Sequence, residues 1–585
     1  MLDQKKNHRI ISPPTFHPVG EGRRAVITEH KLAVPFDPTN SPSDPKAPEP
    51  MVDIYFSVVE LVTTPEEESF FQTLQATSAG ATAKVKQREM TKRASDYKTY
   101  AKLKDAKECM IYLQGGPGFG APVPVNGIGL SDKSSWVGAA LSKGYKKIVL
   151  MDQRGTGRSS TITKQTLQKQ FPDLFLLDDD VDMNTDASTI VDVDSVSSMS
   201  SVNDEFANCK SDQVDKVKSA LTEAIDYMAQ FRADNIVRDA EAVKEALLLP
   251  LDLDDDEEPP PRPWGAALGQ SFGGFCMMSY LSLIPNPPMI CLLTGGIAPM
   301  LTNVDEVYSS LRERVKERNM KFYDQYPGDI DVVKRIVRRL DANPPKLPSG
   351  GVLTARRFLQ LGIGLGGSPS AFASIHKLLS SAFVSDDNDD DDLSRAFLKS
   401  MDSEQPFDDH PIYFHFLMHE SIYADDNSNC EKTSWSAYRA YENNGFGFKA
   451  SCEADSMEPT LLTGEVIFPW MADGDYAELS GFGMRSLAQS LADKSDWPNL
   501  YNSENMKKAL AIDGSGVSKA AAAVYYDDMY VDFDAVMKVT KRGNPLENCK
   551  VWISNEYQHS GLRDDGAMIF NKLLGMAKGE VGTPS

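Results

Sequence analysis

The chain has 585 residues, and 84 acids against 61 bases leave a formal net charge of −23. At 41% hydrophobic and 25% charged, its composition is globular, which excludes a wholly disordered, collagen-like or coiled-coil protein. The absence of a basic footprint speaks against a nucleic-acid binder, and no apolar run approaches the roughly 18 residues of a membrane span.

The start, MLDQKKNHRI, lacks the apolar centre of a signal peptide. Cys109, Cys209, Cys276, Cys291, Cys430, Cys452 and Cys549 are scattered, odd in number and form no CxxC pair. We read them as reduced thiols of a cytoplasmic protein, not as a disulfide framework or a zinc site. The acidity is local. Runs at Asp178–Glu205, Asp252–Glu258 and Asp386–Asp392 carry roughly 21 negative charges, nearly the whole net value. Such runs read as solvated insertions, and none has the ligand spacing of an EF-hand.

In chain order, Arg24–His30 and Val52–Val62 are the first strand-like runs. A polar stretch from Thr63 to Asp105 follows, an insertion with helical character. Then come four short apolar runs, each ending in a polar or glycine-rich turn. Glu108–Leu113 ends in Gln-Gly-Gly-Pro-Gly, and Lys147–Met151 in Asp-Gln-Arg-Gly. Trp264–Leu268 ends in Gly-Gln-Ser-Phe-Gly-Gly, and Met289–Leu293 in Thr-Gly-Gly. Helical patterns cover Val214–Phe231 and Ile236–Leu248. From about 301 to 505 the pattern is helical (Val304–Tyr323, Asp331–Leu340, Phe407–Tyr423), and two further strands, Ala520–Tyr526 and Cys549–Ser554, close the chain. Buried strands alternating with helices predict an α/β fold with a mostly parallel, doubly wound sheet. The expected division is a core over 1–300, an inserted helical cap over 301–505 and the rest of the core over 506–585. Polar or acidic insertions are expected near 63–105, 174–205, 250–262 and 385–393.

Gly269-x-Ser271-x-Gly273 lies between a strand and the helical run Phe275–Leu283, the context of a nucleophile elbow. Only small residues fit such a turn, and it pushes the serine hydroxyl out above the sheet. A serine nucleophile needs a base, and the base an orienting acid. Of eight histidines only His559 follows the late strands. Asp527 and Asp528 end the strand before it, and spacing alone does not separate them. The oxyanion hole needs backbone N–H donors, one from Phe272 and others from the glycine turn at Gly115 and Gly116. That turn has neither a GxGxxG pattern nor a Walker lysine. His415 and His419 have helical metal-ligand spacing but no intervening glutamate, and read as packing. Arg154 is expected to brace the loop near the oxyanion hole. Cys276, Met277 and Met278 read as helix core.

Five stretches together resemble the proline iminopeptidases, serine aminopeptidases of the α/β-hydrolase class with a helical cap. They are Gln114–Gly118, Asp152–Ser159, Gly269–Gly274, Tyr525–Val531 and Asn555–Arg563. Gln114 stands where many members have histidine, and the acidic insertions are not part of the usual pattern. The resemblance favours Asp528 over Asp527 as the triad acid. It implies release of N-terminal proline from short peptides through an acyl-enzyme, with no metal or cofactor and no nucleic-acid or membrane partner. A buried substrate ammonium needs carboxylate partners. The resemblance places these in the cap, at Glu420 and Glu465, with Glu442 a lesser candidate. A broader or tripeptidyl aminopeptidase and an esterase are the alternatives on the same core; an inactive scaffold is a remote one.

Overall fold

A computed structural model describes residues 8–12, 14–20, 23–39, 49–78, 105–122, 124, 130, 135–178, 211–248, 260–385, 391–403, 410–425, 432–442, 448–453 and 456–582. Apart from Asp178, Asp391 and Asp392, the three acidic runs lie outside these residues, as does most of the polar stretch after the helix Pro65–Ser78.

Ten strands form one sheet: β1 His8–Ile10, β2 Thr15–Gly20, β3 Arg23–Pro35, β4 Met51–Val62, β5 Cys109–Leu113, β6 Lys147–Met151, β7 Ala266–Gln270, β8 Ile290–Thr294, β9 Lys519–Tyr525 and β10 Lys550–Ser554. Their order is β1-β3-β4-β6-β5-β7-β8-β9-β10, with β2 also on β3. β3 and β4 pair antiparallel from Arg24↔Val62 to Pro35↔Met51, and β4 is antiparallel to β6. From β6 to β10 every pairing is parallel. This is the α/β-hydrolase fold.

The short central strands are buried throughout, as strands sandwiched between two helical layers must be. Alternation assigns their faces. Ile111, Leu113, Val149 and Ala267 pack with the helices Ala233–Leu247 and Phe272–Leu283. Met110, Tyr112, Ile148 and Leu268 pack with Trp136–Ser142 and Gly566–Lys578 on the other face. The winding direction reverses between β5 and β7: the chain leaves β5 for β6 on one side and returns to β7 on the other. Such a switch point opens a crevice beyond the strand ends, where ligands of open α/β sheets bind.

Between β8 and β9 the described elements are helices, apart from two isolated bridges. One apolar cluster there joins Val315, Phe322, Ile336 and Phe358. A second mixes this region (Tyr308, Phe414, Leu487) with Leu167, Leu221 and Met228 from the β6–β7 connection. The helical layer over the site thus draws on two connections. Leu500, Tyr501 and Met506, which precede or straddle the expected boundary at 506, pack in the sheet core.

Candidate active site

β7 ends at Gln270 and the next helix begins at Phe272, so a single residue turns the chain. That residue, Ser271, has φ +53° and ψ −124°, a region costing a non-glycine residue about 1–3 kcal/mol. Its neighbours leave no room for relaxation. A Cβ on Gly273 would run into the Leu113 carbonyl oxygen, and one on Gly274 into that of Gly296. The Ser271 amide donates to the Thr294 carbonyl at 3.0 Å, and its carbonyl accepts from Gly274 N–H at 2.7 Å.

Ser271 Oγ lies 2.9 Å from His559 Nε2, and His559 Nδ1 lies 2.7 Å from Asp528 Oδ2. Asp528 Oδ1 accepts the amides of Tyr530 and Val531 at 2.8 and 3.2 Å, so both carboxylate oxygens are occupied. Gln270 Nε2 donates to the His559 carbonyl at 3.1 Å. Burial alone would lower the imidazole pKa; Asp528, with Glu465 behind it, outweighs burial and holds it above the ordinary value. The structure separates the two aspartates that spacing could not. Asp527 turns away to Lys321, 3.2 Å distant.

The glycine turn after β5 lies against Ser271. A Cβ at Gly115 would stand 2.9 Å from Ser271 Cβ and 3.5 Å from its Oγ, so only glycine fits. Gly116 follows with φ +123°, also glycine territory. Gln153 Nε2 donates to the Gln114 carbonyl at 2.9 Å, and Tyr112 Oη donates to Gln114 Oε1 at 2.7 Å. Bracing of this turn, expected of Arg154, falls to its neighbour Gln153. Arg154 is instead fully buried in a two-pronged pair with Asp239 at 2.6 and 2.7 Å, and caps the Phe36 and Gln230 carbonyls. The fork of a guanidinium suits that pair better than a loop contact.

The two cap glutamates differ. Glu465 is half-buried, and among the described residues no side chain or amide bonds its carboxylate. Burial raises its pKa to about 7, the nearby His559 working against the rise and Asp528 adding to it. Glu420 is buried, and its oxygens accept the amides of Ser436 and Ala437 at 3.1 and 3.0 Å, capping the helix Ser436–Glu442. Burial raises its pKa, and those hydrogen bonds oppose the rise. Tyr423 feels both: burial first, then the charges of Glu465 and Glu420, raise its phenol pKa. The side chain of Glu442 lies outside the described residues. His415 and His419 lie in the interior with ring centroids 4.5 Å apart and planes tilted by 53°, and burial lowers both pKa values. A narrow apolar crevice lies beside Phe272 and Pro117, lined also by Phe414, Met418 and Ile422.

Sequence reasoning missed Gln153 and Tyr530, whose ring stands 4.6 Å from the His559 imidazole. Both lie inside stretches it had quoted for other residues. No helix among the described residues is long and apolar enough to cross a membrane.

No protein-family model matches the chain. It is 33% identical over 473 residues to a proline iminopeptidase of Aeromonas sobria, covering 81% of this chain and 88% of that protein. It is 28% identical over 475 residues to proline iminopeptidase aneH of Aspergillus aculeatus, covering 81% and 85%. Among solved structures, esterase E22 is similar at 8% identity and a TM-score of 0.33, covering 93% of this chain and 99% of that one.

Proposed function

Because the chain belongs to the proline iminopeptidase family, we propose that it releases N-terminal proline from short peptides by a serine acyl-enzyme route. The observation that carries this reading is the unbroken hydrogen-bonded chain from Ser271 through His559 to Asp528. Asp528 fixes the imidazole with Nε2 toward the serine. His559 takes the Ser271 proton as Oγ attacks the carbonyl carbon of the terminal residue. The amides of Phe272 and of the Gly115–Gly116 turn receive the negative oxygen. His559 then protonates the departing amine, and water, deprotonated by the same imidazole, cleaves the ester and restores Ser271.

Exopeptidase action needs the substrate amine at a fixed distance from Ser271. Glu465 is free to take it directly. Glu420, its carboxylate held by two amides, supplies a second negative charge. An ammonium bound there is paired rather than buried alone. A cytoplasmic location is part of the same proposal, consistent with five buried free thiols among the described residues.

The test is hydrolysis of a chromogenic proline amide with a free amine, beside its N-acetylated twin, by wild type and Ser271→Ala. Cleavage of the free form alone, lost in the alanine variant, is the expected result. Equal cleavage of both forms would overturn the amine-reading site and favour an esterase.

A further inference from the structure

Three parts of the molecule meet at Tyr530. Its amide donates to Asp528 Oδ1 at 2.8 Å. Its ring lies against the His559 imidazole, 4.6 Å between centroids and inclined by 35°. Its hydroxyl donates to the Ile363 carbonyl, in the helical turn Gln360–Gly366 between β8 and β9. That turn is pressed onto Met529 and Tyr530: a Cβ at Gly366 would run into the Met529 side chain and stand 2.8 Å from Tyr530 Cε2.

The geometry points to Tyr530 as a positioning residue that holds the His559 imidazole facing Ser271 and ties that position to the seating of the helical layer. This rests on the reading of Ser271 and His559 as nucleophile and base. An imidazole anchored only through Nδ1 can still swing about that bond, and a ring against its face removes the freedom. An aromatic face also carries negative charge density that favours a cation. His559 becomes that cation each time it takes a proton. The charged groups around the imidazole are Asp528 after β9, Glu465 from the helical layer and Arg563 from its own turn. Around the phenol stand Glu465, Asp528, Arg563 and Arg318 of the helix Val304–Gln325. Tyr530 joins the imidazole, its acid and the helical layer through one side chain and its amide. A shift of the layer that carries Glu465 is therefore passed to the base.

The test uses the full chain and a fluorophosphonate probe, which reacts with an activated serine and needs no amine. The labelling rate is followed against pH. Wild-type labelling absent from Ser271→Ala establishes the nucleophile independently of proline specificity; failure at that step would sink the underlying reading rather than this one. Replacing the ring in Tyr530→Leu should slow plateau labelling about tenfold and lower the apparent pKa of the profile by about one unit. Tyr530→Phe keeps the ring and should keep the wild-type profile, with a loss of about two- to threefold from the missing hydroxyl bond. Tyr530→Met, a longer apolar side chain that also lacks the ring, should shift the profile in the same direction as leucine, which keeps the test alive if the leucine variant does not fold. A slow leucine variant with an unshifted or upward-shifted profile overturns the proposal, because a merely structural residue would behave so. A leucine variant that labels at the wild-type rate with the wild-type profile overturns it too.

Discussion

At Glu465 function and stability pull against each other. Its carboxyl has no hydrogen-bonding partner among the described residues, and burial raises its pKa to about 7 from an ordinary 4.5. A raised carboxyl pKa means that the folded state holds the proton more tightly than the unfolded one. Its contribution to stability is complete below the unfolded pKa and is lost as pH rises toward and through about 7. Glu465→Gln should therefore melt with wild type near pH 4 and above it with growing margin up to about pH 7, beyond which the gap is constant. Substrate binding should run the other way. Wild-type KM for a free-amine proline substrate should rise as pH falls through about 7, where the carboxylate is lost. In the glutamine variant KM should be high and flat over the same range. Thermal melts and KM profiles on the two proteins check both halves. The residues of the site were legible unequally. Ser271 and His559 stand out because a tight turn and the chain order constrain them. Asp527 and Asp528 do not separate in sequence. Their difference is made by a turn that aims one at His559 and by Lys321, 206 positions upstream, which holds the other.

Elements buried on both faces advertise themselves as apolar runs, which is why β5 to β9 were legible, while β10, half-exposed at the sheet edge, was read from its apolar Val-Trp-Ile run. β1 and β2 were not. β1 is the three residues His8–Ile10, and β2 contains Pro18, a residue confined to edges and bulges in sheets. Helical periodicity likewise exposes an apolar face without naming what covers it. Nothing in Ser211–Ala229 announces that its face packs with Tyr308 and Leu487, both far along the chain. The salt bridge Arg154–Asp239 is a similar case, joining the turn after β6 to the helix Ala233–Leu247 with side chains at 0% and 2% exposure. Arg154→Met would leave Asp239 buried without its cation, at a cost of roughly 3–5 kcal/mol. Adding Asp239→Leu removes the stranded charge and should recover much of the loss. The urea midpoints of the two variants against wild type decide this. A double variant no more stable than the single one would place the cost in the lost Phe36 and Gln230 carbonyl contacts instead.

The whole molecule carries −23 in formal charge, and the proposed substrate enters amine first. The field of so acidic a protein raises the local concentration of cations and lowers that of anions, whatever the details of the site. The effect is long-ranged and salt screens it: from about 20 mM to about 300 mM salt the Debye length falls from roughly 20 Å to roughly 6 Å. The proposed amine contact at Glu465, on a half-buried carboxyl, would be much less sensitive to salt. Salt therefore separates the two contributions. For Pro-Lys and Pro-Glu dipeptide amides, each followed against its own value at low salt, kcat/KM should fall several-fold for the lysine substrate over that range. It should fall least, or rise, for the glutamate substrate, whose net charge is zero or negative. The N-terminal amine is common to both, so its contact with Glu465 cancels in the ratio, and what remains is the field of the molecule acting on the second residue. A ratio independent of salt would mean that the acidic runs, set apart in sequence from the site residues, leave the site's potential to its own few carboxylates.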